Sequence, residues 1–201
     1  MVFYETVGFS DCKFIKKLLI IVTYRLFISR HLCRKRYFKE TMAKEIEHKY
    51  MVVSSQYIDM ATQSCYIAQG YLNRDPMRTV RVRIKDDKAF LTIKSKNMGD
   101  TRQEYEYPVP VEDAQEMLRL CEGRVIAKRR YIVPFEGMTW EVDAFEGDLY
   151  PLVVAEIELQ DSDQVYALPP FVGRNVTDDE RFYNSRLASD GVDVAQLMKL
   201  S

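Results

Sequence analysis

Seven stretches of the chain set charged side chains at two-residue spacing, and each stretch mostly keeps one sign. The acidic members are Glu45 and Glu47, Glu104 and Glu106, Glu141 and Asp143, and Glu156 and Glu158. The basic members are Arg81, Arg83 and Lys85, then Lys94 and Lys96, then Lys128 and Arg130, with Lys49 closing the run that starts at Glu45. Oxygen-rich carboxylate sets hold hard divalent cations, whereas Arg and Lys hold phosphate oxygens through charge-assisted hydrogen bonds. A site that brings both sets together suits a metal–polyphosphate complex.

The elements that must position these residues are strands. Side chains alternate between the two faces of a strand, so spacing by two puts each charged set on one side. The opposite side is apolar: Val80, Val82 and Ile84 in 79–85, Leu91 and Ile93 in 90–96, Trp140, Val142 and Ala144 in 139–145, and Ala155, Ile157 and Leu159 in 154–160. The remaining stretches are 44–52, 102–109 and 127–133. An ordinary solvated face mixes Thr, Ser, Gln and Asn with its charges. Faces this purely ionic predict a sheet whose apolar side meets a covering layer and whose charged side turns inward. A curved sheet closing on itself would do this, so the expectation is an α+β domain built on a closed antiparallel β-barrel with an ionic lumen and covering helices. Charges so enclosed need partners, because unpaired burial is costly.

Helical spacing appears where the strands stop. Residues 111–123 carry Ala114, Met117, Leu118 and Cys121 on one face and end at Gly123, which predicts a covering helix. Thr177 and Glu180 have capping-box spacing at the head of 177–191, and a short last helix is expected over 192–200. A helical turn followed by a strand containing Gln69 and Tyr71 is expected after the first strand, and the Pro/Gly-rich 168–177 reads as a loop.

Composition narrows the functions. The body is acidic: residues 42–201 hold 20 Lys/Arg and 27 Asp/Glu, which argues against a general nucleic-acid binder. Two histidines, His31 and His48, exclude a His-rich metal site. The four cysteines lack C-x-x-C spacing and read as reduced thiols of a cytoplasmic protein. With no His or Cys counted on a charged face, a Glu or Asp is left to orient any attacking water. Residues 1–41 are basic, with nine Lys/Arg against three Asp/Glu. Arg25 interrupts their apolar run, which is too short for a spanning helix of ~20 residues. No small-residue cleavage site follows it. A membrane-surface helix is one reading; the other, adopted as the expectation, is a non-domain extension or upstream-translated segment preceding a domain at 42–201, without stable membrane insertion.

Glu45-x-Glu47-x-Lys49, followed in order by Arg81-x-Arg83, Lys94, Glu104-x-Glu106, Lys128-x-Arg130, Asp143 and Glu156-x-Glu158, resembles the signature of the CYTH superfamily, the triphosphate tunnel metalloenzymes, in its short bacterial inorganic triphosphatase-like branch. The resemblance spans roughly residues 44–189. It implies a barrel of about eight strands enclosing Mg²⁺ or Mn²⁺ and a small-molecule triphosphate, and hydrolysis of inorganic triphosphate to diphosphate and phosphate. Nucleoside or thiamine triphosphate hydrolysis, class IV adenylate cyclisation and non-catalytic polyphosphate or nucleotide binding are the alternatives on that fold. Carried over by position, Glu45, Glu47, Glu156 and Glu158 form the metal side, with Asp143 adjoining. Lys49, Arg81, Arg83, Lys94, Lys128 and Arg130 form the phosphate side, and Glu104 and Glu106 are supporting carboxylates. Together Glu45, Glu47, Lys49, Arg81, Arg83, Lys94, Lys128, Arg130 and Asp143 make up the expected catalytic set, in a monomer or homodimer. Three residues depart from the branch: Asn175 for Glu, Pro151 for Gly, and Arg129 for a small hydroxyl residue, the last expected to point away from the site.

Overall fold

Each charged-and-apolar alternation becomes a strand. The computed structural model describes residues 46–96 and 103–199. The chain divides into two units, Met1–Thr41 and Met42–Ser201, and every described residue belongs to the second. The expectations for residues 1–41 and for Glu45 lie outside the described residues.

The strands are β1 (Ile46–Val52), β2 (Gln63–Asn73), β3 (Arg78–Lys85), β4 (Lys88–Ser95), β5 (Glu104–Val109), β6 (Glu122–Phe135), β7 (Met138–Phe145), β8 (Val153–Leu159) and β9 (Val172–Asn175). Their pairing is antiparallel throughout, in the order β5-β4-β3-β2-β6-β7-β8-β1-β9. Two tight hairpins fix neighbouring registers. Asp86 (φ 50°) turns β3 into β4, while Glu136 (φ 45°) and Gly137 (φ 78°) turn β6 into β7, the left-handed conformations that two-residue hairpin loops require.

The expected closed barrel of about eight strands does not form. The sheet is open, with β5 and β9 as its edges. Both edges are poor templates for another strand. β5 is six residues long and contains Pro108, which has no backbone N–H to donate. β9 has four residues and meets β1 at two positions with a register shift between them. Short, irregular or proline-bearing edges resist further pairing. β9 itself falls in 168–177, the stretch expected to be a loop.

The apolar face is covered in two places. α1 (Gln56–Met60) brings Tyr57 to a cluster with Tyr50, Val133, Trp140, Val142, Ala155, Ile157 and Phe171. Trp140 is fully buried and meets Tyr50 and Tyr166 edge-on. α2 (Val111–Arg119) lays Ala114 over Val82 and Ala89, with Met117 and Leu118 beside it. It is shorter than expected because β6 already begins at Glu122.

On the other face, one end is apolar too. Met51, Tyr71, Ile126, Phe145 and Val154 pack there against Phe182, Leu187, Val194 and Leu197 of the C-terminal segment, which includes α3 (Asn184–Leu187) and α4 (Val194–Met198). The expected capping box at Thr177 is not used. Asp179 caps a short 3₁₀ turn by accepting from the Arg181 N–H, and the Thr177 hydroxyl instead accepts from the Lys49 N–H at 3.0 Å. That segment plugs one end of the charged face. Among the described residues, no helix is long and apolar enough to cross a membrane.

Candidate functional site

Register decides which charges meet. β1 and β8 place Glu47 opposite Glu158 and Lys49 opposite Glu156. The Lys49 ammonium donates to Glu47 Oε1 and, at 2.5 Å, to Glu156 Oε1. It is therefore a cation held between two carboxylates. Burial, and then the neighbouring Glu156 carboxylate, raise the Glu47 pKa to about 7. Glu156 moves the other way: burial would raise it, but Lys49, Lys128 and Arg130 together hold it well below the usual carboxylate range. Burial would lower the Lys49 pKa, and Glu156 and Glu47 overcome that and raise it. Glu158 is on the same face, at the exposed end of β8.

A second group forms where β6, β7 and β8 run side by side. Asp143 is 0% exposed and Lys128 1%, a depth that leaves neither charge to water. Lys128 Nζ donates to Asp143 Oδ2 at 2.5 Å and to Asn184 Oδ1 of α3 at 3.3 Å. Arg130 grips Asp143 through Nε (2.7 Å to Oδ1) and Nη2 (2.6 Å to Oδ2), reaches Glu156 Oε2 at 2.9 Å, and also donates to Glu141. Burial alone would raise Asp143, yet Lys128 and Arg130 hold its pKa below the ordinary value. For Lys128 burial wins and the pKa falls despite Asp143. For Arg130 the carboxylates win over burial and the guanidinium is held more firmly charged.

The third group spans β3, β4 and β5. Arg83 donates to Glu106 Oε2 at 2.9 Å, and Lys94 Nζ lies 2.6 Å from Glu104 Oε2. Arg81 donates to the Thr92 hydroxyl at 3.2 Å, and that hydroxyl donates to Glu106 Oε2 at 2.9 Å. Arg81 is 3.6–3.8 Å from Glu106 and Glu104. Burial, and then the like charge of Arg81, lower the Arg83 pKa. The Nε atoms of both arginines are buried without a hydrogen-bond partner.

These side chains share one face because their registers chain together: Glu156 opposes Glu141, Asp143 opposes Arg130, Arg130 opposes Cys65, Gln69 opposes Arg83, and Arg81 opposes Thr92. Arg81 and Lys94 keep only 13% of their side-chain surface and Arg130 12%. A flat sheet face would leave such long side chains in water, so the sheet curls around them while remaining open. Arg129 is exposed on the other side.

Three contributors carried no charge signal in the sequence. Thr92 is completely buried and links Arg81 to Glu106. Asn184 reaches Lys128 from the C-terminal segment. Gln69 is 2% exposed on β2, beside Arg83. Cys65 also corrects an expectation, since the register puts it on the charged face against Arg130. Burial raises its pKa, which keeps it a neutral thiol and a poor base or nucleophile.

Glu47, Glu156 and Glu158 supply oxygen donors alone, the chemistry of a hard divalent cation. Glu47 and Glu156 already share one cation, the Lys49 ammonium. Among the described residues, no three His, Cys, Asp or Glu side chains converge on a single metal-ligating point. The donor types thus fit a divalent cation, and Lys49 stands where the Glu47–Glu156 pair would hold one.

Known proteins are similar to this chain in sequence and fold. The CYTH domain family model matches residues 43–185. An inorganic triphosphatase of Acetivibrio thermocellus is 47% identical over 150 residues, covering 74% of this chain and 96% of that protein. An inorganic triphosphatase of Nitrosomonas europaea is 34% identical over 149 residues, covering 72% and 96%. The crystal structure of the inorganic triphosphatase NE1496 has a TM-score of 0.58 and 34% identity, over 73% of this chain and 95% of that one. The chain belongs to the CYTH domain family.

Proposed function

We propose that this protein hydrolyses inorganic triphosphate to diphosphate and phosphate with a divalent cation, Mg²⁺ or Mn²⁺, and that residues 42–201 carry the activity in the cytoplasm. The observation that carries this reading is the pair of buried, unpartnered Nε donors on Arg81 and Arg83. They lie on a face that also gathers Lys49, Lys94, Lys128 and Arg130. A buried donor without an acceptor costs roughly 1–3 kcal/mol. An anion with many oxygens removes that cost and satisfies several donors together.

Phosphoryl transfer asks mainly for in-line positioning and charge stabilisation. Arg81, Arg83 and Lys94 bind oxygens from the β3–β4 side, and Lys128 and Arg130 from β6. Asp143, Glu104, Glu106 and Thr92 hold those cations in place. Glu47, Glu156 and Glu158, with Glu45 preceding them in sequence, would hold the divalent cation, and Lys49 would then turn to the phosphate. A divalent cation held there would supply charge neutralisation at phosphate oxygens and would make a nearby water more acidic. Water adds to the terminal phosphorus as the bond to the bridging oxygen breaks, diphosphate leaves with that bond's electrons, and a carboxylate orients the water.

Phosphate release from inorganic triphosphate, ATP and thiamine triphosphate, each with Mg²⁺ and then Mn²⁺, tests this. Inorganic triphosphate should turn over fastest. Absence of release from it with either metal, or faster release from a nucleotide, overturns the proposal.

A further inference from the structure

Gln69 is buried like a core residue, at 2% exposure, and its side-chain Nε2 has no hydrogen-bond partner. Its place in β2 is fixed from both sides: it opposes Arg83 of β3 and Ile126 of β6. It therefore stands at the boundary between the ionic part of the face and the apolar plug to which Ile126 belongs. On the next pair along the strands, Tyr71 opposes Arg81. Three donors that lack acceptors, Arg81 Nε, Arg83 Nε and Gln69 Nε2, thus come from neighbouring positions of one face.

A purely structural glutamine at such a depth would have its amide satisfied, since buried polar groups are almost always bonded. A hydrophobic residue of the same size would fill the space without the desolvation cost. The orphaned amide makes physical sense with an acceptor delivered from outside the protein. Its neighbours determine the kind of acceptor: two guanidinium groups lie beside it, so the missing atom is an anionic oxygen. An amide contributes a donor without adding to the repulsion among the cations, repulsion that already lowers the Arg83 pKa after burial.

We infer that Gln69 is a substrate-binding residue that donates its amide N–H to a phosphate oxygen of the triphosphate held by Arg81 and Arg83. The inference rests on the triphosphatase reading and adds to it a neutral, directional contact at the plugged end of the site. It also assigns the reach of the substrate, whose chain must extend along β2 as far as Gln69.

The test compares wild type with Gln69→Met, which conserves volume and removes the amide, and Gln69→Glu, which conserves shape and replaces the donor with a carboxylate. Thermal melts in EDTA, with and without inorganic triphosphate, give apo stability and a metal-free dissociation constant. Gln69→Met should melt no lower than wild type, because it removes an unsatisfied buried group. It should bind triphosphate about ten- to a hundredfold more weakly, the worth of one hydrogen bond to a charged acceptor. Gln69→Glu should melt higher, through pairing with Arg83, and bind more weakly still. In turnover, KM for triphosphate should rise with loss of the amide. A dissociation constant in Gln69→Met equal to that of wild type overturns the assignment, and so does a lowered apo melting temperature with unchanged KM. Failure of wild type itself to be stabilised by triphosphate would overturn the anion site altogether, and the Gln69 assignment with it.

Discussion

The arginines of the charged face are not equivalent, and the difference predicts opposite phenotypes for Arg81 and Arg130. Arg130 is bound to Asp143, Glu141 and Glu156. Replacing it with alanine leaves Asp143, at 0% exposure, with Lys128 alone. Breaking one side of a buried ion pair costs about 3–5 kcal/mol, and in a domain of this size that lowers the melting temperature by about 6–20 °C. Arg81 has one neutral hydrogen bond, to Thr92 at 3.2 Å, and carboxylates only at 3.6–3.8 Å. Arg81→Ala should therefore leave the apo melting temperature within a few degrees of wild type. Its buried Nε and its remaining donor capacity are available to phosphate oxygens, so substrate binding should lose about 1.5–3 kcal/mol per lost contact, roughly ten- to a hundredfold in kcat/KM. The assay is a pair of melts for each variant, with and without inorganic triphosphate in EDTA, alongside steady-state kinetics. Wild type at a hundredfold excess of ligand over Kd gains about 2.7 kcal/mol from ligand linkage; Arg81→Ala at the same concentration should gain markedly less. If Arg81→Ala melts as low as Arg130→Ala while keeping the full triphosphate-induced shift, Arg81 is a structural ion-pair partner and not a phosphate ligand.

Glu156→Gln and Glu158→Gln should each raise the metal concentration for half-maximal rate, since a charged oxygen ligand is lost; an unchanged metal titration would remove that residue from the metal side. The pH dependence of apo stability should have two limbs of opposite sign. Asp143 and Glu156 are depressed in the fold, so their contribution is complete above the unfolded values of about 4 and is lost as the pH falls below them. Glu47 is raised to about 7, so its contribution is complete below the unfolded value and is lost as the pH rises through 7. In metal-free buffer Glu47→Gln should flatten the melting temperature between pH 5 and 8, and an unaltered slope would show that another group titrates there. A chain beginning at Met42 should melt cooperatively and keep its turnover; loss of either would place residues 1–41 in the functional unit.

How much of this was legible in the sequence depends on what two-residue spacing can carry. It fixes which side chains of one strand share a face, and Arg81 with Arg83, or Glu156 with Glu158, needed nothing more. It does not fix which strand lies beside which. That Lys49 would meet Glu156, or Arg83 meet Glu106 across β4, follows from the order β5-β4-β3-β2 and β7-β8-β1, which spacing within single strands does not contain. β2 was the hard case. Its inward residues Cys65, Ile67, Gln69 and Tyr71 have no charge rhythm, so nothing marked Gln69 or Cys65 as facing the ionic side. Thr92 was hidden for a related reason: between Leu91 and Ile93 it reads as an ordinary polar alternation, and its value lies in bridging Arg81 to Glu106. Closure does not follow from the charge pattern, because inward-facing charge needs curvature, not a closed ring. A curled open sheet plugged at one end by Phe182 and Leu187 shelters the same side chains.

The ionic face also shows why one sign per strand is a sound design for binding a polyanion. If each strand mixed signs, cations and carboxylates would pair along the strand with their i+2 neighbours and remain paired with any ligand present. Here most pairing runs across strands, as Arg130 does to Asp143 and Lys94 to Glu104, and the degree of pairing varies from group to group. On β6 Arg130 already meets three carboxylates, and Lys128 is held by Asp143 and Asn184. On β3 Arg81 and Arg83 each keep a buried donor unused. Cations already paired add field and rigidity and fewer new hydrogen bonds, while those with unused donors supply more of them. The new hydrogen bonds to triphosphate should therefore come mostly from β3 and its neighbour Gln69, while Lys128 and Arg130 meet phosphate oxygens from positions already set by their carboxylate and amide partners.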